Sequence, residues 1–155
     1  MSEAALPPLP GQRIARGVCR LLASHDFAPL CEVVPAPGLR VDVMALGPKG
    51  EVWVVECKSG LPDLRADRKW QGYLDWCDRY FWAVEPGFPV EALPEGSGLI
   101  LADAFGGEIA RWGEERPLAG ARRRALTLRF ARLAAWRQAG GDEMPGQAGY
   151  CRLSR

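Results

Sequence analysis

Arg40-Val-Asp-Val-Met-Ala-Leu-Gly-Pro-Lys-Gly-Glu-Val-Trp-Val-Val-Glu-Cys-Lys58 decides the fold of this chain, because it reads as two strands joined by a turn with charges gathered at the open end. Side chains alternate along a strand, so Asp42, Met44 and Leu46 share one face of the first strand, and Val52, Val54, Glu56 and Lys58 share one face of the second. Val52 to Val55 are apolar on both faces, the pattern of a buried strand. A three-residue loop of Pro48, Lys49 and Gly50 puts proline at a turn position that suits it and glycine where a left-handed backbone is needed. That loop pairs Gly47 with Glu51, Met44 with Val54 and Asp42 with Glu56. A loop one residue shorter or longer would send the two carboxylates to opposite faces.

Two carboxylates a few ångströms apart repel by roughly 3 to 4 kcal/mol at an effective dielectric of about 20, so they call for a cation or a shared proton. Oxygen ligands of this kind suit a hard divalent ion, magnesium or manganese, held by Asp42, Glu56 and the backbone carbonyl of Cys57. Lys58, one pleat beyond Glu56, is placed to orient a hydroxide or to neutralise charge building on a phosphate. The plainer alternative is a solvated cross-strand ion pair worth under about 1 kcal/mol.

Asp42 followed on the next strand by Glu56-Cys57-Lys58 resembles the D…(D/E)-x-K signature of the PD-(D/E)xK nuclease superfamily. A longer run resembles the MmcB family of DNA-repair endonucleases: Arg40-Val-Asp-Val-Met-Ala-Leu46, Glu56-Cys-Lys-Ser59, Asp67-Arg-Lys-Trp70, Tyr73, Cys77-Asp78 and Gly98-Leu-Ile-Leu-Ala-Asp103. The likeness spans residues 10–138. It implies an α/β fold with a restriction-endonuclease-like αβββαβ core, a mixed sheet flanked by helices, and a magnesium-dependent deoxyribonuclease whose catalytic residues are Asp42, Glu56 and Lys58. Valine precedes Asp42 where the superfamily pattern has proline, and no glutamate lies between Gly11 and Ser24, on the first helix, where many such nucleases carry one. Glu32, on the strand ahead of the hairpin, either stands in for that glutamate or is simply exposed. The resemblance also implies that the helix after the hairpin packs beside the active strand. That would bring Asp67, Lys69 and Tyr73 within reach of substrate phosphate or a bound water. Spacing alone puts Tyr73 with Ala66, Trp70, Leu74 and Cys77 on the apolar side of a helix over residues 62–79, so packing is the competing reading for Tyr73 and Trp70.

With 155 residues and 48% hydrophobic content, the chain can bury one core, and a single domain over 1–155 is expected, with tails at 1–10 and 139–155. Five cysteines without C-x-x-C spacing argue against zinc or a disulfide framework. No apolar run reaches membrane-spanning length and the start lacks a signal-peptide pattern, so a cytoplasmic protein without a membrane partner is expected. A net charge of +1 means that affinity for DNA, the expected partner, must come from local clusters. Arg13, Arg16 and Arg20 follow helical spacing opposite Ile14, Val18, Leu21 and Leu22, and with Arg40 and Lys69 they are the DNA-binding candidates. Arg122, Arg123, Arg124, Arg129 and Arg132 spread round a last helix at 118–138 and read as surface charge. His25, at the end of the first helix, reads as a partner of the helix dipole. The competing function is a catalytically inactive nucleic-acid or protein-binding module on the same fold. Oligomeric state stays open, a dimer included.

Overall fold

A computed structural model of the chain describes residues 9–141. The order is helix α1 (Pro10–Ser24), strands β1 (Ala28–Ala36), β2 (Leu39–Leu46) and β3 (Val52–Lys58), short helices α2 (Leu61–Ala66) and α3 (Trp70–Tyr73), strands β4 (Arg79–Val84), β5 (Gly98–Ala102) and β6 (Gly107–Arg111), and helix α4 (Gly120–Gln138). The six strands form one sheet in chain order, β1 to β6. Neighbours are antiparallel from β1 to β3, parallel from β3 to β5, and antiparallel again at β6. This mixed sheet between helices is an α/β fold consistent with a restriction-endonuclease-like core. The tails expected at 1–10 and 139–155, and Cys151, fall largely outside the described residues.

Helix α1 covers one face of the sheet, packing Ile14, Val18 and Leu22 on Val43, Ala45, Val55, Phe81 and Ile100. Helix α4 covers the other with Leu126, Phe130 and Leu133, joined there by Tyr73 and Trp70 against Met44, Val54, Tyr80 and Trp82. Because both faces are covered, every residue of β3 is buried, Glu56 and Lys58 included. The hairpin turn forms as its residues require. Gly50 has φ +87°, Gly47 N donates to Glu51 O at 2.8 Å, and Met44 pairs with Val54.

Strict alternation fails at one level. Met44 packs towards α4 while Val43 and Ala45 pack towards α1, yet Val41 joins the α4 side. The strand beside it does the same, with Cys31 on the α1 side and Val33 on the other, and between them Glu32 takes φ +53°. A left-handed residue breaks the pleat, and β1 and β2 turn over together at Glu32 and Asp42.

Two further expectations are corrected. The helix expected over 62–79 is interrupted at 67–69, because Asp67 Oδ1 accepts the amides of Lys69 and Trp70 at 2.9 and 3.1 Å and closes a turn that a continuous helix would not allow. Two α4 arginines expected on the surface are half-buried and committed instead. Arg129 donates to Val34 O at 3.0 Å, and Arg123 grips Asp78 with two bonds of 2.6 and 2.7 Å. Arg122, Arg124 and Arg132 are exposed, as expected, with Arg122 donating to Asp75 O at 2.9 Å. Arg137, further along α4, donates to Cys31 O and Glu32 O.

Buried Asp78 also accepts the amides of Val52 and Leu118, at 2.7 and 2.8 Å. Burial pushes its carboxyl up, but the Arg123 guanidinium and the two amides outweigh that and hold it below the usual range. Its stabilising contribution is therefore present above the unfolded pKa and lost as pH falls through the lower folded value. Asp78→Ala is expected to cost about 3 kcal/mol, read as a lower urea midpoint at pH 7. The difference from wild type should shrink on acidification.

Candidate active site

The site forms where β2 leaves β3. Paired residues run from Leu46 with Val52 to Val43 with Val55, and there the ladder ends. Beyond it, Cys57 N donates to Asp42 Oδ2 at 2.8 Å, and Asp42 N donates to Glu56 Oε1 at 2.8 Å. Each carboxylate thus accepts an amide of the opposite strand, taking the place of the next ladder bond. Asp42 and Glu56 are brought together as expected, but by side-chain bridges rather than by a further strand pair. A strand residue presents its N–H and C=O to the same edge, so the carbonyl of Cys57 also faces the gap where Asp42 stands.

Glu56 is only 4% exposed. Burial and the charge of Asp42 push its carboxyl well above the usual range, against the pull of the Asp42 amide and Lys58. Burial raises Asp42 as well, opposed by the Cys57 amide and the charge of Lys58. The pair therefore keeps a proton at a pH where isolated carboxylates have lost theirs.

This donor set fits a hard divalent ion. Each carboxylate has a second oxygen beyond its amide bond, and the Cys57 carbonyl is a further oxygen at the same edge. Among the described residues no group of three or more acidic, histidine or cysteine side chains forms a closed metal cage. One or two carboxylates are what magnesium takes from protein, whereas calcium cages and zinc sites need more side-chain ligands.

Lys58 is 8% exposed, and its ammonium is committed. Nζ lies 2.9 Å from Asp67 Oδ2, 3.9 Å from Asp63 Oδ1 and 5.9 Å from the centre of the Trp82 ring. Burial lowers its pKa, but the hydrogen bond and charge of Asp67, followed by Asp63 and Glu56, raise it on balance. The lysine stays cationic. Asp67 joins two tasks, holding Lys58 through Oδ2 and the amides that begin α3 through Oδ1.

The other expected residues divide. Tyr73 is buried and donates its hydroxyl to Arg40 O at 3.1 Å, tying α3 to β2 beside Asp42. It is packing at the site's wall, with its pKa pushed up by burial and by Glu56, Asp67 and Asp42. Lys69 is exposed and Arg40 half-buried, with the Arg40 charge lowering the Asp42 pKa. Glu32 stands level with Asp42 but exposed, and among the described residues its carboxylate makes no ion pair. Arg13 lies 4.0 Å from Glu85 just past the end of β4, Arg20 donates to Phe105 O at 3.1 Å, and Arg16 is exposed between them. His25 caps the C-terminal end of α1, edge-on to Trp112 and away from the acids. Sequence reading missed Trp82, which is level with Glu56 on β4 and lies under Lys58. Trp82 Nε1 and Tyr80 Oη are buried without a hydrogen-bond partner among the described residues. The one signal for them was an unbroken aromatic run at Tyr80-Phe-Trp82.

A model of the MmcB-like DNA repair protein family matches residues 9–143. The chain is also similar to a solved structure described as a protein of unknown function from Silicibacter pomeroyi, with 59% identity and a TM-score of 0.85, covering 87% of this chain and 92% of that one. A search of curated proteins found no match.

Raised carboxyl pKa values carry a sign. The folded state holds protons that the unfolded state releases, so stability is fullest below the unfolded carboxylate pKa and falls as pH rises through the folded values of Glu56 and Asp42. Without divalent ions, the melting temperature is expected to drop from pH 5 towards pH 8. Glu56→Gln should flatten that slope, and a slope equal to wild type would count against the protonated pair.

Proposed function

The chain belongs to the MmcB-like family of DNA repair proteins, and from that premise we propose that it is a divalent-metal-dependent DNA endonuclease of the PD-(D/E)xK type, hydrolysing phosphodiester bonds in repair. One observation carries the reading: a buried and a half-buried acid, each fixed by an amide of the opposite strand, beside a buried lysine at the end of an apolar strand. Such a group is costly to bury, several kcal/mol per ion by general estimates, and a catalytic centre accounts for it.

Asp42, Glu56 and the Cys57 carbonyl would hold magnesium or manganese. When bound, the ion supplies Lewis-acid activation of water and neutralises charge on the phosphate. The protein's own part is positional. Amide bonds fix where the two carboxylates stand; holding an ion there would require the pair to be deprotonated, so affinity would rise with pH. Lys58, kept cationic, offsets negative charge on the phosphate in the transition state. Asp67 is a positioning residue, setting where the ammonium sits. Arg13, Arg16, Arg20, Arg40 and Lys69 are the candidates for phosphate contact on either side.

A second reading, a non-catalytic DNA-binding module, draws on the pairing of Lys58 with Asp67 and Asp63, which leaves the ammonium less free to act. Cleavage assays on single-stranded, nicked and branched DNA separate the two. The nuclease reading expects cutting with magnesium or manganese that stops on chelation, and falls by about 100-fold or more in Asp42→Asn and Glu56→Gln. Lys58→Ala should slow cutting while leaving magnesium affinity within a few fold. Salt-sensitive DNA retention with no cutting of any substrate would establish the binding module instead.

A further inference from the structure

Phe105 is 80% exposed, more than any other large hydrophobic side chain among the described residues. Scattered apolar residues on a surface need no explanation, but this one stands on a built platform. Asp103 N donates to Gly106 O at 3.0 Å, and Asp103 Oδ1 accepts the amides of Phe105 and Gly106 at 2.8 and 3.1 Å. Arg20, from α1, donates to Phe105 O at 3.1 Å. The turn also rests directly on α1 at Gly17, where a Cβ would sit 1.9 Å from Asp103 O and 2.5 Å from Gly106 O. Trp112, the other exposed aromatic on this edge, leans on Trp53, Phe81 and His25. Among the described residues no aromatic ring packs against Phe105.

The position matters as much as the exposure. Strands β3, β4 and β5 are parallel, so the turn after β5 lies on the same rim of the sheet as Glu56 and Lys58. Two strand spacings place it on the order of 10 Å along that rim from the end of β3. Arg13 reaches the same rim at Glu85, and Arg16 and Arg20 follow along α1 towards the turn. An exposed aromatic ring on a hydrogen-bonded turn, with an arginine of α1 bonded to it and the paired acids on the same rim, has the make-up of a nucleic-acid contact: charge for phosphates and a flat face for a base.

We propose that Phe105 is a base-stacking wedge, its ring taking the face of an unpaired or unstacked nucleobase in DNA lying across this rim, with Arg16 and Arg20 at the flanking phosphates. This rests on DNA being the substrate and goes further, since it assigns a preference for single-stranded, gapped or branched forms over intact duplex. The backbone of the turn is already held by Asp103 Oδ1 and Arg20, so little backbone ordering remains to be done on binding. Stacking tolerates any base, so the preference concerns structure and not sequence.

The test compares wild type, Phe105→Ala and Phe105→Trp as full chains. Fluorescence anisotropy would follow labelled single-stranded, flap and duplex oligonucleotides, with calcium in place of magnesium. Phe105→Ala is expected to weaken single-stranded and flap binding by about tenfold and duplex binding by under about twofold, with Phe105→Trp close to wild type. The exposed ring contributes little to folding, so equal melting temperatures identify properly folded variants. Equal affinity of wild type and Phe105→Ala for every form overturns the wedge, even if magnesium-dependent cutting is found. A wild-type dimer that Phe105→Ala converts to monomer, with DNA affinity unchanged, overturns it in favour of a second copy of the chain. Loss of binding in Phe105→Ala without cutting by any form of the protein supports the wedge and sinks the hydrolytic reading. Wild type that retains no DNA at all overturns both.

Discussion

The parting of β2 from β3 past Val43 and Val55 is the constraint from which the rest of the site follows. A ladder that simply continued would satisfy its own amides and leave two repelling carboxylates at its end. Here the carboxylates take over the amides' needs: Cys57 N is met by Asp42, and Asp42 N by Glu56. The exchange satisfies buried donors that would otherwise be left unpaired and fixes both acids without long, flexible side chains. It requires β2 to turn over at Asp42, which the left-handed Glu32 on β1 allows.

Charge then passes outward in a short relay. Glu56 is buried and prone to hold a proton, Lys58 stays cationic beside it, and Asp67 holds Lys58 while closing the turn that starts α3. Tyr73 returns from α3 to Arg40 on β2. The break in the helix after the hairpin is thus part of the site's support. A continuous helix could not place the Asp67 carboxylate both at its own following amides and at the lysine. Apolar rings of Trp70, Tyr80 and Trp82 lie beneath this relay and pack on one another, so the charged groups rest on a layer that yields little.

The outer helices hold the sheet by different means. Helix α1 relies on aliphatic packing and on Gly17, whose missing side chain lets the turn after β5 touch the helix backbone. Helix α4 adds arginines that reach past its apolar stripe to the carbonyls of β1 and to Asp78. Carbonyls on an edge strand are unpaired on one side, and guanidinium groups cover some of them here. No helix among the described residues is long and apolar enough to cross a membrane.

Much of this was legible in the residues themselves. Gly47-Pro48-Lys49-Gly50 specified the loop length, and loop length set the register of Met44 on Val54, because each step depends on local backbone geometry; that register leads Asp42 to Glu56, though side-chain bridges and no strand pair join them. The apolar run of β3 announced a strand covered on both faces for the same local reason. Three things were decided by tertiary contacts alone. Asp67 broke its helix because its carboxylate holds Lys58 and two following amides at once, a pairing across sequence that helical periodicity cannot register. Arg123 and Arg129 were drawn inward because Asp78 and a carbonyl of β1, distant in the chain, were brought within reach. The face switch at Asp42 came from a neighbour's left-handed backbone, since a side chain's direction in a sheet depends on the strand beside it as well as on its own place in the chain.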